Sequence, residues 1–200
     1  CTAHKLYGPK GIGALYVRSE NPPVSLSPLF DGGGQERGLR SGTLNVPGIV
    51  GFGKACQIAG EKMATESECL RQLRDILKEG IFSELEEVHL NGHPTNRLPH
   101  NLNVSFGYVE GEALLMSLSD IAVSSGSACR SACIEPSHVL TAIGVPEELA
   151  QSTIRFGLGR FNTEKEVQYV KERVIEAVRC LRELSPHSEA GRSRDQDKQG

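Results

Sequence analysis

Apolar spacing divides the chain into a front broken by glycine and proline, one long helical stretch and a run of short alternating elements. In the front, Ala14-Leu15-Tyr16-Val17 predicts a short strand, entered through the turn signals of Gly8-Pro9-Lys10-Gly11 and Gly13. Asn21-Pro22-Pro23 and Asp31-Gly32-Gly33-Gly34 break regular structure between that strand and the helical stretch. From Gly48 to about residue 82 the pattern is helical, and Leu70, Leu73, Leu77 and Ile81 recur at the three-and-four spacing of a buried stripe. Val88-His89-Leu90 predicts a short strand, and Leu102, Val104 and Phe106 alternate with Asn103 and Ser105 as in a half-buried one. The pattern then predicts a helix from Glu112 to Leu118 and a strand at Ile121-Ala122-Val123. A helix from Ser137 to Ile143, stopped by Gly144, precedes a strand from Thr153 to Phe156. Thr163 and Glu166 have capping-box spacing, so each side chain can satisfy a free backbone donor at the start of the last helix. That helix carries its apolar face on Val167, Val170, Val174, Val178 and Leu181.

Strands alternating with helices predict an α/β fold. Residues 60–184 are expected to form a compact α/β domain, with residues 1–59 as the remnant of a larger domain that cannot build a core alone. Residues 185–200 are polar and charged and predict a disordered tail.

Composition narrows the class. With 22 basic against 25 acidic residues, a net charge of −3 and no long block of one sign, the chain has no surface signature for nucleic acid. Hydrophobic residues at 38% beside charged residues at 24% describe an ordinary globular protein, and no apolar run has the length of a membrane span. No signal-peptide pattern is present, so Cys1, Cys56, Cys69, Cys129, Cys133 and Cys180 read as reduced thiols, not a disulfide frame. Cys129 and Cys133, with His138 following, lack the second ligand pair that a tetrahedral zinc site needs. The chain opens on Cys1 with a strongly patterned segment under way by residue 4, which reads as a chain whose first part is missing.

Two segments carry candidate chemistry. Ser124-Ser125-Gly126-Ser127-Ala128-Cys129 puts a thiol at the end of a run of small residues. Such a run keeps a loop wet and mobile, so the thiol could react in a site and leave it loaded; an ordinary connector is the alternative. Thr2-Ala3-His4-Lys5 followed by Leu6-Tyr7-Gly8-Pro9-Lys10-Gly11-Ile12-Gly13 sets Lys5 between a histidine and a glycine-rich turn. A primary amine is the group that condenses with the aldehyde of pyridoxal phosphate, whereas most lysines are simply solvated.

AHKLYGPKGIGALYVR, GGGQERGLRSGTLNVPGIVG, YVEGEALLMSL, VSSGSACRSACIEPSHVL and STIRFGLGRF, in that order, resemble the cysteine desulfurases of iron–sulfur cluster assembly, the IscS and Nfs type. The resemblance covers Thr2 to Pro186. It implies the pyridoxal-phosphate-dependent transferase fold of type I, similar to class V aminotransferases, as the edge of the large domain plus the complete small C-terminal α/β domain. It implies that Lys5 holds pyridoxal 5'-phosphate, that Thr2, Ala3 and His4 lie along the cofactor phosphate, and that Thr43 reaches the phosphate of the other subunit in a homodimer. Arg155 would clamp the carboxylate of L-cysteine, for which its planar two-pronged donor is suited. Cys129 would attack the substrate sulfur, become a persulfide and release L-alanine, with Arg130 either favouring the thiolate or simply solvated. The implied acceptors are an iron–sulfur scaffold protein and other sulfur carriers, including those of tRNA thiolation. Cys129 is the one implied metal ligand, shared with the scaffold's cluster. The implied setting is the bacterial cytoplasm or the mitochondrial matrix, without secretion, membrane or nucleic-acid binding.

The family also carries, upstream of the lysine, a histidine stacked on the cofactor ring, an aspartate at its nitrogen and a glutamine at its phenolic oxygen. These have no counterpart in this sequence, so the 200-residue chain made alone is expected to be inactive. Cys133 stands where many relatives have serine, as a resolving thiol or a small residue, and the tail from His187 differs from the family's longer C-terminal segment. A selenocysteine lyase or a class V aminotransferase would share the lysine region, though a plain aminotransferase needs no nucleophile at Cys129. From another class, a non-catalytic scaffold-binding module would keep the surface without the reaction.

Overall fold

A computed structural model describes residues 1–125 and 137–184. The tail from residue 185, expected to be disordered, lies outside the described residues. The chain divides into two units, Cys1–Ala64 and Thr65–Gly200. Among the described residues no helix is long and apolar enough to cross a membrane.

The first unit holds a 3-10 turn at Ala3–Leu6, a second short turn at Gln35–Gly38 and the opening part of helix α1, Val46–Glu84. Near the start of α1 the Asn45 carboxamide oxygen accepts from the Gly48 amide at 3.1 Å, which satisfies one of the free donors of a first helical turn. The strand expected at Ala14–Val17 does not form. A strand is stabilised by a partner and by burial of one face. Here pairing is confined to an isolated bridge between Thr2 and Gly13, and Leu15 and Tyr16 are 77% and 87% exposed.

The second unit is a four-stranded sheet covered on one face by helices. Its strands are β1 (Val88–Leu90), β2 (Asn101–Phe106), β3 (Ser124–Ser125) and β4 (Thr153–Gly157). They lie in the order β1-β2-β4-β3, with every neighbouring pair antiparallel. The alternation in β2 sends Leu102, Val104 and Phe106 inward, where they join Ile154 and Phe156 of β4. Against them pack Leu73, Leu77 and Ile81 of α1 and the Val167, Val174 and Val178 stripe of helix α5, Glu164–Leu184. Leu70, Val170 and Leu181, expected in the same stripes, are half-buried.

The capping box at the start of α5 forms as its spacing predicts. Thr163 donates its amide to Glu166 Oε2 at 2.8 Å, and the Glu166 amide donates to Thr163 Oγ1 at 3.3 Å. Helix α2, Gly111–Ser117, begins instead on Glu110, whose carboxylate accepts from the amides of Glu112 and Ala113. Helices α3, His138–Ala142, and α4, Glu147–Gln151, lead into β4, with Gly144 in the left-handed conformation (φ 81°) after α3. The short helix α4 was not legible in the apolar pattern.

The strand expected at Ile121–Val123 lies later, at Ser124–Ser125. Residues 121–123 are spent in a turn, where Ile121 donates to the Leu118 carbonyl and Val123 to the Ile121 carbonyl. Their apolar side chains pack at the edge of the core, and pairing to β4 begins only with Ser124 opposite Arg155.

Phe106 is wholly buried. Replacing it by alanine is expected to remove about 3–5 kcal/mol of stability, read by denaturant unfolding of the chain. A loss under about 1 kcal/mol would contradict this packing.

Candidate functional site

The lysine turn is built from short-range hydrogen bonds. Ala3 donates to the Ile12 carbonyl at 3.0 Å, Gly8 to the Ala3 carbonyl at 2.9 Å and Ala14 to the Cys1 carbonyl at 3.0 Å. The return stretch passes so close that a Cβ at Gly13 would lie 2.5 Å from the Cys1 carbonyl oxygen, so this position accepts only glycine without backbone movement. Ala3 is fully buried, which anchors the turn, while His4 and Lys5 are exposed. The Thr2 hydroxyl sits 2.9 Å from His4 Nδ1. Hydroxyl, imidazole and primary amine are thus collected within four residues.

Thr43 closes a second loop of the same unit. Ser41 donates its hydroxyl to the Gly33 carbonyl at 2.8 Å, the Gly42 amide donates to Gln35 Oε1 at 3.1 Å, and Arg40 Nη1 reaches the carbonyls of Gly42 and Thr43. The loop is therefore tied to itself, and the Thr43 side chain is exposed.

In the second unit Arg155 stands on the sheet face away from α1 and α5. Its strand alternates so that Ile154 and Phe156 are buried and Arg155 is exposed. Asn103 on β2 and Ser124 on β3 are its partners across the two neighbouring strands, and Arg155 Nη2 donates to Ser124 Oγ at 3.4 Å. The same face carries a buried polar group, Asn91, Ser105 and Thr153, joined by hydrogen bonds of 2.7–2.8 Å. The alternation marked Asn103 and Ser105 as the polar side of a strand without revealing these partners.

Ahead of β3, the carboxylate of Asp120 holds the chain to α5. It accepts from the Tyr169 hydroxyl at 2.5 Å and from Arg173 Nε at 3.3 Å, and Arg173 Nη2 donates to the Ser117 carbonyl at 3.3 Å. The Tyr169 hydrogen bond, then that of Arg173, hold the Asp120 carboxyl below its usual range, and the same bond pushes the Tyr169 hydroxyl up. Sequence reading singled out neither residue.

The structure thus places Thr2, Ala3, His4 and Lys5 on one turn and Thr43 on a separate loop of the first unit, with Arg155 in the second unit. Cys129, Arg130 and Cys133 lie outside the described residues. Among the described residues no cluster of three or more His, Cys, Asp or Glu could hold a metal ion, and Cys1, Cys56, Cys69 and Cys180 are free, exposed thiols.

The mixed α/β architecture with its small antiparallel sheet is shared with solved NifS-like structures, which have the pyridoxal-phosphate-dependent transferase fold of type I. The chain belongs to the class V aminotransferase family, whose profile matches residues 1–170. It is 60% identical over 185 residues to the cysteine desulfurase IscS of Anaeromyxobacter sp. (strain Fw109-5), covering 92% of this chain and 46% of that protein. A solved NifS-like protein matches 90% of this chain and 45% of its own, with 41% identity and a TM-score of 0.76. SspA, solved in complex with cysteine, matches 80% and 43% with 36% identity and a TM-score of 0.57. The chain spans about half the length of the curated relatives it matches.

A carboxyl held low in the folded protein contributes stability above its unfolded pKa, about 3.9, and loses it as pH falls through the folded value. Asp120→Asn is therefore expected to unfold more readily than the unsubstituted chain at neutral pH. The difference should narrow below about pH 4 in denaturant titrations. A constant difference across that range would show that the Asp120 charge contributes nothing.

Proposed function

We propose that this chain is part of a pyridoxal-phosphate-dependent cysteine desulfurase, carrying the cofactor lysine and the substrate-binding small domain. The observation that carries the reading is the Ala3–Leu6 turn, where the Thr2 hydroxyl and the His4 ring meet at 2.9 Å one residue ahead of the exposed Lys5 amine. With the Thr2 hydroxyl and His4 Nδ1 bonded to each other, one O–H or ring N–H donor remains for a phosphate, and the amine beside it suits an aldehyde, so the set fits pyridoxal phosphate. The 60% identity to an IscS desulfurase and the likeness to SspA solved with cysteine support the substrate class.

In this reading the group supplies an aldehyde for the substrate amine and a conjugated ring that takes up electrons. Lys5 Nζ, freed when substrate binds, moves protons at the α-carbon. Arg155 holds the substrate carboxylate, which fixes the Cα–H and Cβ–S bonds in direction. Cys129, as thiolate, attacks the substrate sulfur. The new S–S bond forms as the C–S bond breaks, its electron pair stays with the carbon, and protonation there gives L-alanine and a persulfide. The sum is cysteine plus a thiol going to alanine plus a persulfide. In the same reading Thr43 serves the cofactor phosphate of a second copy, and Cys129 passes sulfur to a scaffold for iron–sulfur clusters in a cytoplasmic setting.

Borohydride reduction of the protein carrying this chain, loaded with pyridoxal phosphate, is expected to tag Lys5 in peptide mapping, and Lys5→Ala to lose the tag. A tag on Lys10 alone would overturn the assignment. Cys129→Ser should still bind L-cysteine but produce alanine at less than about one-hundredth of the original rate, since its hydroxyl is a far weaker nucleophile at neutral pH. Undiminished alanine release by Cys129→Ser would remove that residue from the reaction.

A further inference from the structure

We propose that Asn103 is a second donor to the substrate carboxylate, held beside Arg155 in a single amide orientation by a one-way relay of buried hydrogen bonds. The proposal rests on the reading of Arg155 as the carboxylate clamp.

The direction of the relay is set at its far end. Thr153 Oγ1 donates to the Leu149 carbonyl at 2.8 Å, and a carbonyl can only accept. With its one proton spent there, Thr153 must accept from Ser105, whose Oγ lies 2.7 Å away. The Ser105 proton is then spent as well, so Ser105 can only accept from its other neighbour. That neighbour is the Asn91 side chain at 2.8 Å, and the group facing Ser105 is therefore the Asn91 NH₂. A flipped Asn91 would set an oxygen against an oxygen with no proton between them. The second hydrogen of the same NH₂ goes to Asn103 Oδ1 at 2.8 Å. Asn103 thus has its acceptor consumed, and its own NH₂ must point elsewhere.

Ser105 and Thr153 are buried to 0% and 1% exposure and Asn91 to 7%, so water does not compete for these bonds. Asn103 is half-buried, and among the described residues no acceptor meets its NH₂. The β2–β4 register makes Arg155 its cross-strand partner, and cross-strand neighbours on one face lie about 4.5–5.5 Å apart at Cβ. Two N–H donors beside a guanidinium form a site for an anion with two oxygens. On the other side of Arg155, Ser124 already accepts from Nη2, which leaves the Asn103 side for a carboxylate. Asn91, Ser105 and Thr153 are positioning residues, because they act only through the orientation of Asn103.

The test compares L-alanine with L-alaninamide, which lacks the carboxylate, by calorimetric titration of the pyridoxal-phosphate-loaded protein carrying this chain. Asn103→Leu, which removes the donor without adding charge, is expected to weaken L-alanine about tenfold or more, the effect of losing a charge-assisted hydrogen bond, while alaninamide changes less than about twofold. Thr153→Val should weaken L-alanine in the same selective way and Thr153→Ser should restore it, since only the serine keeps the relay hydroxyl. Equal weakening of both ligands, or none in Asn103→Leu, overturns the proposal. Alanine release from L-cysteine by the unsubstituted protein tests the desulfurase reading separately. Carboxylate-selective binding without alanine release would overturn that reading and keep this one.

Discussion

The pairing of β2 with β4 is the constraint on which the second unit depends. Five residue pairs, from Asn101 opposite Gly157 to Ser105 opposite Thr153, fix one register. Side chains alternate between faces with a period of two, so a slip by one residue would turn Ile154 and Phe156 outward and drive Arg155 into the core. The apolar side of the register recruits α1 and α5. The polar side shows Arg155 between Asn103 and Ser124. Core formation and display of the arginine are therefore one event, enforced by the cost of burying an unpaired guanidinium.

The lysine turn reaches a defined geometry by other means. It has little core of its own: Ala3 is buried, but Leu6 and Tyr7 are exposed. Its shape comes from backbone hydrogen bonds between residues 3 and 12, 3 and 8, and 1 and 14, and from Gly13, which lets two strands of backbone pass without a Cβ between them. A turn held this way presents side chains and packs few.

How far the sequence carries depends on how local each feature is. The helix from Gly48, the alternation in β2 and the capping box at Thr163 and Glu166 are set by neighbours three or four positions away, and all three formed. The strand at Ala14–Val17 did not, because a pattern states a preference for pairing but cannot supply a partner. The shift of the third strand to Ser124–Ser125 has the same origin: Ile121 and Val123 have strand-like side chains, but the core takes them from within a turn. For the chemistry, Lys5 beside His4 gains meaning only together with the four other motifs, and Asp120 with Tyr169 carries no signal across 49 residues of sequence.

The buried polar group on the back of the sheet shows why such partners resist sequence reading. Asn91, Ser105 and Thr153 come from the end of β1, from β2 and from β4, and no spacing rule links them; only the bond from Thr153 to the Leu149 carbonyl of α4, four residues back, is local. An apolar set of equal volume would fill the same space without ordered protons and could be as stable. What it could not do is assign an orientation. Each hydroxyl here has one proton and a forced direction for it, so the carbonyl of Leu149 determines, through the side chains of Thr153 and Ser105, which end of Asn91 faces Asn103. Removing any link leaves a buried group unpaired, at about 1–3 kcal/mol, and also frees the amide to turn. The stability of the sheet and the polarity presented beside Arg155 are coupled through the same atoms, which favours keeping a polar chain where packing alone would accept valine and leucine.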